Sequence, residues 1–169
     1  MVRNGAQLNR FHTLRREQWI PLPVDEVFAF FSDARNLGEI TPPWLGFRIL
    51  TPRPIRIAAG TKIRYRLGWH GIPMNWKTEI RRWDPPFCFV DAQMSGPYRL
   101  WHHTHRFEAS GGGTRMTDVV RYRLPFGVIG RVTHAIEVRR DVELIFDYRF
   151  QRIGDLFGGA RQAEAARQV

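Results

Sequence analysis

Polar and apolar residues alternate most cleanly from Thr61 to Trp69, with Ile63, Tyr65, Leu67 and Trp69 on one side and Lys62, Arg64 and Arg66 on the other. A period of two marks a strand buried on one face. The pattern recurs over residues 75–83, where Trp76, Thr78 and Ile80 oppose Lys77, Glu79 and Arg81. His70-Gly71-Ile72-Pro73 and Asp84-Pro85-Pro86 bound that strand as turns. Further strands are predicted over residues 12–20, 47–50 and 87–94. Short helices are predicted over 24–32 and 36–40; the first is opened by Pro23, with Asp25 and Glu26 at its positive end. From about residue 130 the period changes. Ala135, Val138, Val142, Ile145, Phe146, Phe150, Ile153 and Phe157 recur at three- and four-residue steps, the stripe of a long amphipathic helix. Its polar face is expected to carry Arg131, Arg139, Arg140, Asp141, Arg149 and Arg152, and Gly158-Gly159 to end it.

The last two strands form one hairpin. Gly111-Gly112 suits a two-residue turn in which both central positions take positive φ. Setting Ser110 opposite Gly113 then pairs Phe107 with Met116, His105 with Asp118, His103 with Val120 and Trp101 with Tyr122, all on one face. Phe107, Met116, Val120 and Trp101 make that face apolar, so it is expected to point inward, with His105 and Asp118 meeting on it as a polar pair. If Phe87 and Phe89 also face inward, Asp91 and Gln93 join them, and the Gly96-Pro97-Tyr98 turn sets Asp91 near His103.

The order is one strand, two helices, six antiparallel strands and a long helix, an α+β arrangement. A curved sheet with one apolar face must cover it, and the terminal helix is the available cover. One domain is expected over residues 12–157, with flexible termini at 1–11 and 158–169. No apolar segment near the N-terminus reads as a secretory signal, and no run approaches the ~20 residues of a spanning helix. A cytoplasmic location is expected. The single Cys88, between Phe87 and Phe89, reads as a buried structural thiol.

Aromatic residues make up 13% of the 169, with six Trp and twelve Phe, enough to fill a core or to line a cavity. The net charge of +10 comes from an arginine excess. Arg64, Arg66, Lys77 and Arg81 are expected in water on the outer sheet face. The aromatics on these strands alternate inward rather than beside the arginines, so they offer no stacking platform and no nucleic-acid partner is assigned. Transient contact with an anionic membrane is the most that is expected of the charge.

Several segments together carry a family resemblance: residues 23–33, 40–47, 89–93, 96–98 and 101–107, then 113–118, 122–127 and 145–149. Among them are Pro23-Val24-Asp25-Glu26-Val27-Phe28, Ile40-Thr41-Pro42-Pro43-Trp44, Trp101-His102-His103-Thr104-His105 and Ile145-Phe146-Asp147-Tyr148-Arg149. The chain resembles the SRPBCC superfamily of START-like domains, and within it the small bacterial ligand-binding proteins related to polyketide cyclases and dehydrases. The resemblance implies a helix-grip fold, a curved antiparallel sheet wrapped around the C-terminal helix, with a hydrophobic ligand held between them. It does not specify chemistry, because one frame carries binders, lipid carriers, cyclases and hydrolases.

Three uses of the polar pair follow. His103 and His105, two apart on one strand, can bring two imidazoles to one metal, with Asp118 or Asp91 completing the set. With no cysteine beside the pair and no further inward histidine evident, no metal and no cofactor is assigned. An Asp beside a His suits general acid–base work, so His105 and Asp118 are the catalytic candidates for a cyclase or dehydratase acting on an aromatic or polyketide-like substrate. The favoured reading is a binder of a hydrophobic small molecule rather than an enzyme. Trp44, Tyr65, Trp76, Asp91, Gln93, Trp101, His103, His105, Asp118, Tyr122, Phe146 and Phe150 are its expected ligand-binding residues. Trp44 and Thr41-Pro42-Pro43 are placed near the mouth, and the cavity is expected to exceed ~300 Å³, solid packing with no void of that size counting against the binder reading.

Overall fold

Seven strands hydrogen-bond in one antiparallel sheet, in the order β1-β7-β6-β5-β4-β3-β2. They are β1 (His12–Ile20), β2 (Arg48–Ile49), β3 (Lys62–Trp69), β4 (Ile72–Asp84), β5 (Cys88–Ser95), β6 (Leu100–Ser110) and β7 (Gly113–Arg123). Helix α1 (Val24–Phe31) and two 3₁₀ turns, Ala34–Gly38 and Pro43–Leu45, fill the connection from β1 to β2, and α2 (Arg131–Arg167) closes the chain. The structure, a computed structural model, describes residues 11–124 and 131–167. The side chains of Arg131 and Ala135, the segment 125–130 and most of the expected N-terminal arm lie outside the described residues.

The hairpin register is the expected one, from Ser110 opposite Gly113 through His105 opposite Asp118 to Trp101 opposite Tyr122. Gly111 and Gly112 take φ of 59° and 76°, the two positive values of a type I′ turn. β6 lies between β5 and β7, so each inward β6 residue has a neighbour on both sides. Asp91 of β5 stands opposite His103. In β4 the pairing with β5 shifts between Ile80 and Arg82. That bulge lets Arg81 and Arg82 both face water and returns Trp83 to the inner side, against Phe28 and Phe89.

Two apolar clusters flank the middle of the sheet. One gathers Ile20, Val27, Phe28, Phe89, Phe107, Met116 and Ile153 under α1. The other gathers Leu14, Val120, Tyr122, Val138, Val142 and Phe146 under α2. Cys88 is buried, and burial pushes its thiol upward, against the pull of Arg82 and Arg106.

Four expectations about these elements are corrected. Phe87 is in the turn before β5 and 56% exposed, its backbone N–H bonded to Asp84. Helix α2 passes through Gly158-Gly159 to Arg167. Glycine costs a helix roughly 1 kcal/mol relative to alanine without forbidding it, and the alanine-rich segment beyond is a strong helix former. Arg149 turns inward and Phe150 outward. Asp141 is half-buried, not free in water: its Oδ2 accepts from Trp69 Nε1 at 2.6 Å and contacts His70 Nε2 at 2.9 Å.

Candidate functional site

Between the sheet and α2 lies a cavity of about 190 Å³. Ile63, Tyr65, Trp76, Thr78 and Ile80 of β3 and β4 form its floor, Phe89, Trp101, His103 and His105 one wall, and Ile145, Phe146 and Arg149 its roof. Thr41, Leu45, Phe47 and Ile57 come from the segment between α1 and β3. The volume is smaller than expected, because aromatic rings interlock inside. Trp76 packs at 5.9 Å on Tyr65, 5.6 Å on Tyr98 and 5.3 Å on Trp101. The indole Nε1 of Trp76, a residue 93% buried by its 7% exposure, finds no hydrogen-bond acceptor.

The polar end of the cavity rests on three adjacent strands. His105 Nε2 lies 3.0 Å from Asp91 Oδ2, and His103 Nε2 lies 3.1 Å from Asp118 Oδ1. Asp91 Oδ2 is also 3.7 Å from His103 Nδ1. Asp118 Oδ1 is 2.8 Å from His105 Nδ1, but off the direction of that nitrogen's hydrogen, so this contact is ionic rather than a hydrogen bond. Strand pairing explains the whole arrangement: Asp118 and Asp91 are the cross-strand partners of His105 and His103, and each reaches diagonally to the other histidine as well. Thr78 supports Asp91, donating to its Oδ1 at 3.4 Å and to the Ala92 carbonyl at 3.0 Å.

Burial alone would strip charge from all four groups. Around Asp118 it is outweighed by Arg149, His105 and His103, which hold the carboxyl well below its ordinary range. Asp91 is likewise lowered, burial losing to the His105 hydrogen bond and the nearby positive charges. The histidines part company. Burial and the charge of His105 lower His103, whereas Asp118 and Asp91 overcome burial at His105 and raise it. Of the two imidazoles, His105 is therefore the one its surroundings favour in the charged form, and the guanidinium of Arg149 adds positive charge with its Nε 3.7 Å from Asp118 Oδ2.

Tyr65, Trp76, Asp91, Trp101, His103, His105 and Phe146 of the expected residues line the cavity. Asp118 stands directly behind the histidines. The others lie elsewhere. Tyr122 is in the second apolar cluster, stacked on His12 at 5.2 Å, because the end of β7 is filled solidly under α2. Gln93 closes the turn before β6, donating from Nε2 to the Tyr98 carbonyl at 2.6 Å and accepting from the Tyr98 N–H at 3.3 Å. Phe150 is 44% exposed. Trp44 is 61% exposed and meets the Tyr148 ring edge-on at 5.3 Å, at the rim rather than in the lining. Sequence reasoning missed Arg149 and Thr78. The need of two buried carboxylates for a cation was a signal for the first; Thr78 was placed on the inner face, without a role.

A curved antiparallel sheet gripping a terminal helix over such a cavity defines a helix-grip domain. Residues 20–140 match the family described as polyketide cyclase / dehydrase and lipid transport, and the chain belongs to that family, within the SRPBCC superfamily. Solved structures with the same fold include Ara h 8.0201, at 17% identity and TM-score 0.64 over 89% of this chain and 99% of that one. Protein Ms6760 from Mycobacterium smegmatis superposes at 19% identity and TM-score 0.62, over 88% and 92% of the two chains. Protein CV1439 from Chromobacterium violaceum does so at 12% identity and TM-score 0.67, over 86% and 96%. At these identities the likeness is one of fold. No curated protein matches the sequence. Among the described residues no helix is long and apolar enough to cross a membrane.

Proposed function

We propose that this chain binds a small hydrophobic molecule carrying one polar, hydrogen-bond-accepting end. The observation that carries the reading is an apolar cavity ending on a charged cluster, Asp91, His103, His105 and Arg149, which a packed core does not need. Pockets of this composition orient a ligand through a few placed polar groups. The volume of about 190 Å³ suits a compact occupant, a single ring or a short chain. Tryptophan fluorescence titrated with phenols, monocyclic aromatic acids and medium-chain fatty acids tests this, since Trp76 and Trp101 line the space. Saturable quenching by one class is expected, with native mass spectrometry showing a one-to-one complex. No saturable quenching and no co-purified small molecule would overturn it.

One observation favours a second reading, in which the family's cyclase or dehydratase chemistry runs in this cavity. His105 faces the lumen between two carboxylates, where a general acid belongs. His105→Ala separates the two. It weakens ligand retention in a binder, whereas in an enzyme it costs on the order of 10²–10⁴ in rate on the substrate.

A further inference from the structure

We propose that Asp91, His103 and His105 form a binding site for one divalent transition-metal ion, of the zinc and ferrous-iron kind, at the polar end of the cavity. A carboxylate oxygen and two imidazole nitrogens, one from each residue, lie within 4.8 Å of one another. The nitrogens that face Asp91 Oδ2 are His105 Nε2 at 3.0 Å and His103 Nδ1 at 3.7 Å. A tetrahedral ion with bonds of ~2.0–2.1 Å needs ligand atoms about 3.3 Å apart, between those two distances. The two contacts with Asp91 therefore need shifts of a few tenths of an ångström, and the two nitrogens, within 4.8 Å of each other, must close to the same spacing.

The outer nitrogens make the stronger case. His103 Nε2 and His105 Nδ1, those turned away from Asp91, both lie against Asp118 Oδ1, at 3.1 and 2.8 Å. A carboxylate behind a ligating imidazole fixes its tautomer and raises its basicity. Asp118 does this for His103 through the hydrogen bond at 3.1 Å, meets His105 Nδ1 only as an off-axis contact, and has Arg149 Nε 3.7 Å from its other oxygen. Two nitrogens and one carboxylate oxygen, with a further position open, is the donor set of catalytic zinc and of non-haem ferrous sites. Asp91, His103 and His105 all line the cavity, so the open position faces it. Neutral imidazoles, two carboxylates, one guanidinium and a divalent ion sum to one positive charge, which an anionic oxygen of the occupant would neutralise. That last point rests on the cavity reading; the three-residue site does not.

The test uses full-length protein purified without a metal-chelating tag, stripped with EDTA, and dialysed against zinc. One zinc per chain is expected. His103→Gln, His105→Gln and Asp91→Asn should each weaken retention by about 100-fold, and Asp118→Asn by roughly 10–100-fold. His102→Ala, one residue away on the opposite face of β6, should leave it unchanged. Cobalt(II) should give the intense visible bands of a four-coordinate site. Failure of the folded chain to retain zinc, or retention indifferent to His103→Gln and His105→Gln, overturns the proposal. If those variants do not fold, a cobalt spectrum from the unaltered protein that is indistinguishable from that of the aqueous ion overturns it instead. Zinc binding without any saturable organic ligand would leave the site standing and remove the cavity reading.

Discussion

Arg149 Nε lies 3.7 Å from Asp118 Oδ2, joining helix α2 to strand β7 by a buried ion pair. With only 11% of its side chain exposed, Arg149 answers the buried carboxylate of Asp118 and adds positive charge near the largely buried Asp91. Removing one partner of such a pair leaves an uncompensated buried charge and costs about 3–5 kcal/mol. Arg149→Met should therefore lower Tm by roughly 10 °C, at about 2–4 °C per kcal/mol for a chain of this size. Arg149→Met with Asp118→Asn should lose less than the sum of the two single changes, as measured by thermal unfolding.

Trp76 separates binding from stability. Its buried Nε1 has no acceptor, so Trp76→Phe deletes an unsatisfied donor along with some packing. The two effects oppose each other, and stability should change by no more than ~1 kcal/mol. Ligand affinity should fall about tenfold if the occupant supplies the missing acceptor, a hydrogen bond worth ~1.4 kcal/mol. Equal affinity in the two proteins, measured by calorimetry, would show that the ligand ignores the indole.

The hairpin turn makes a local prediction. Gly111 and Gly112 hold φ of 59° and 76°. Gly111→Asn should be tolerated, because asparagine is favoured at the first position of this turn. Gly111→Val should cost about 1–2 kcal/mol, since a β-branched residue resists the left-handed region. Denaturant midpoints compare the two directly.

Alkaline pH should unfold the protein through its buried phenols. Burial, then the nearby Tyr122 and Asp141 charges, push Tyr98 far above its usual value, and burial raises Tyr65 and Tyr122 as well. A phenol whose folded pKa exceeds the unfolded one, about 10, contributes stability that is intact below that pH. It is lost as pH rises through the folded value. Phenolate absorbance should therefore appear late and together with loss of helix by circular dichroism. A smooth titration of Tyr65, Tyr98 and Tyr122 near pH ~10 in a folded chain, followed in a Tyr148→Phe background, would contradict the burial.

The pairing of His105 with Asp118 was legible because a two-glycine turn fixes register and the apolar partners forbid a slip by one residue. The proximity of Asp91 to His103 was only conditional on Phe87 and Phe89 facing inward; Phe89 does and Phe87 does not, and it is the parity of Phe89 with Asp91 along β5 that holds. Helix α2 was harder. Steps of three and four from Phe146 reach both Arg149 and Phe150, and periodicity cannot choose between them. The choice falls to Arg149 because Asp118 and Asp91 need its charge, which a one-dimensional pattern does not display. Gln93 and Tyr122 were misplaced for a related reason. Each faces inward, but the backbone of the turn at Tyr98 claims the first and the filled end of the sheet claims the second. The size of the cavity depends on how the aromatic rings interlock, and alternation carries no information about that.

Because both histidines stand on β6, with β5 and β7 hydrogen-bonded along its two sides, their side of the cavity is as stiff as the sheet itself. Its opposite boundary, around Thr41, Leu45 and Phe47, is built from 3₁₀ turns and a two-residue strand at the sheet's edge. Such short elements, with few backbone ladders, are where local opening costs least. If the cavity holds the proposed ligand, that soft flank is where it would enter and leave, while the polar groups on β5, β6 and β7 stay still.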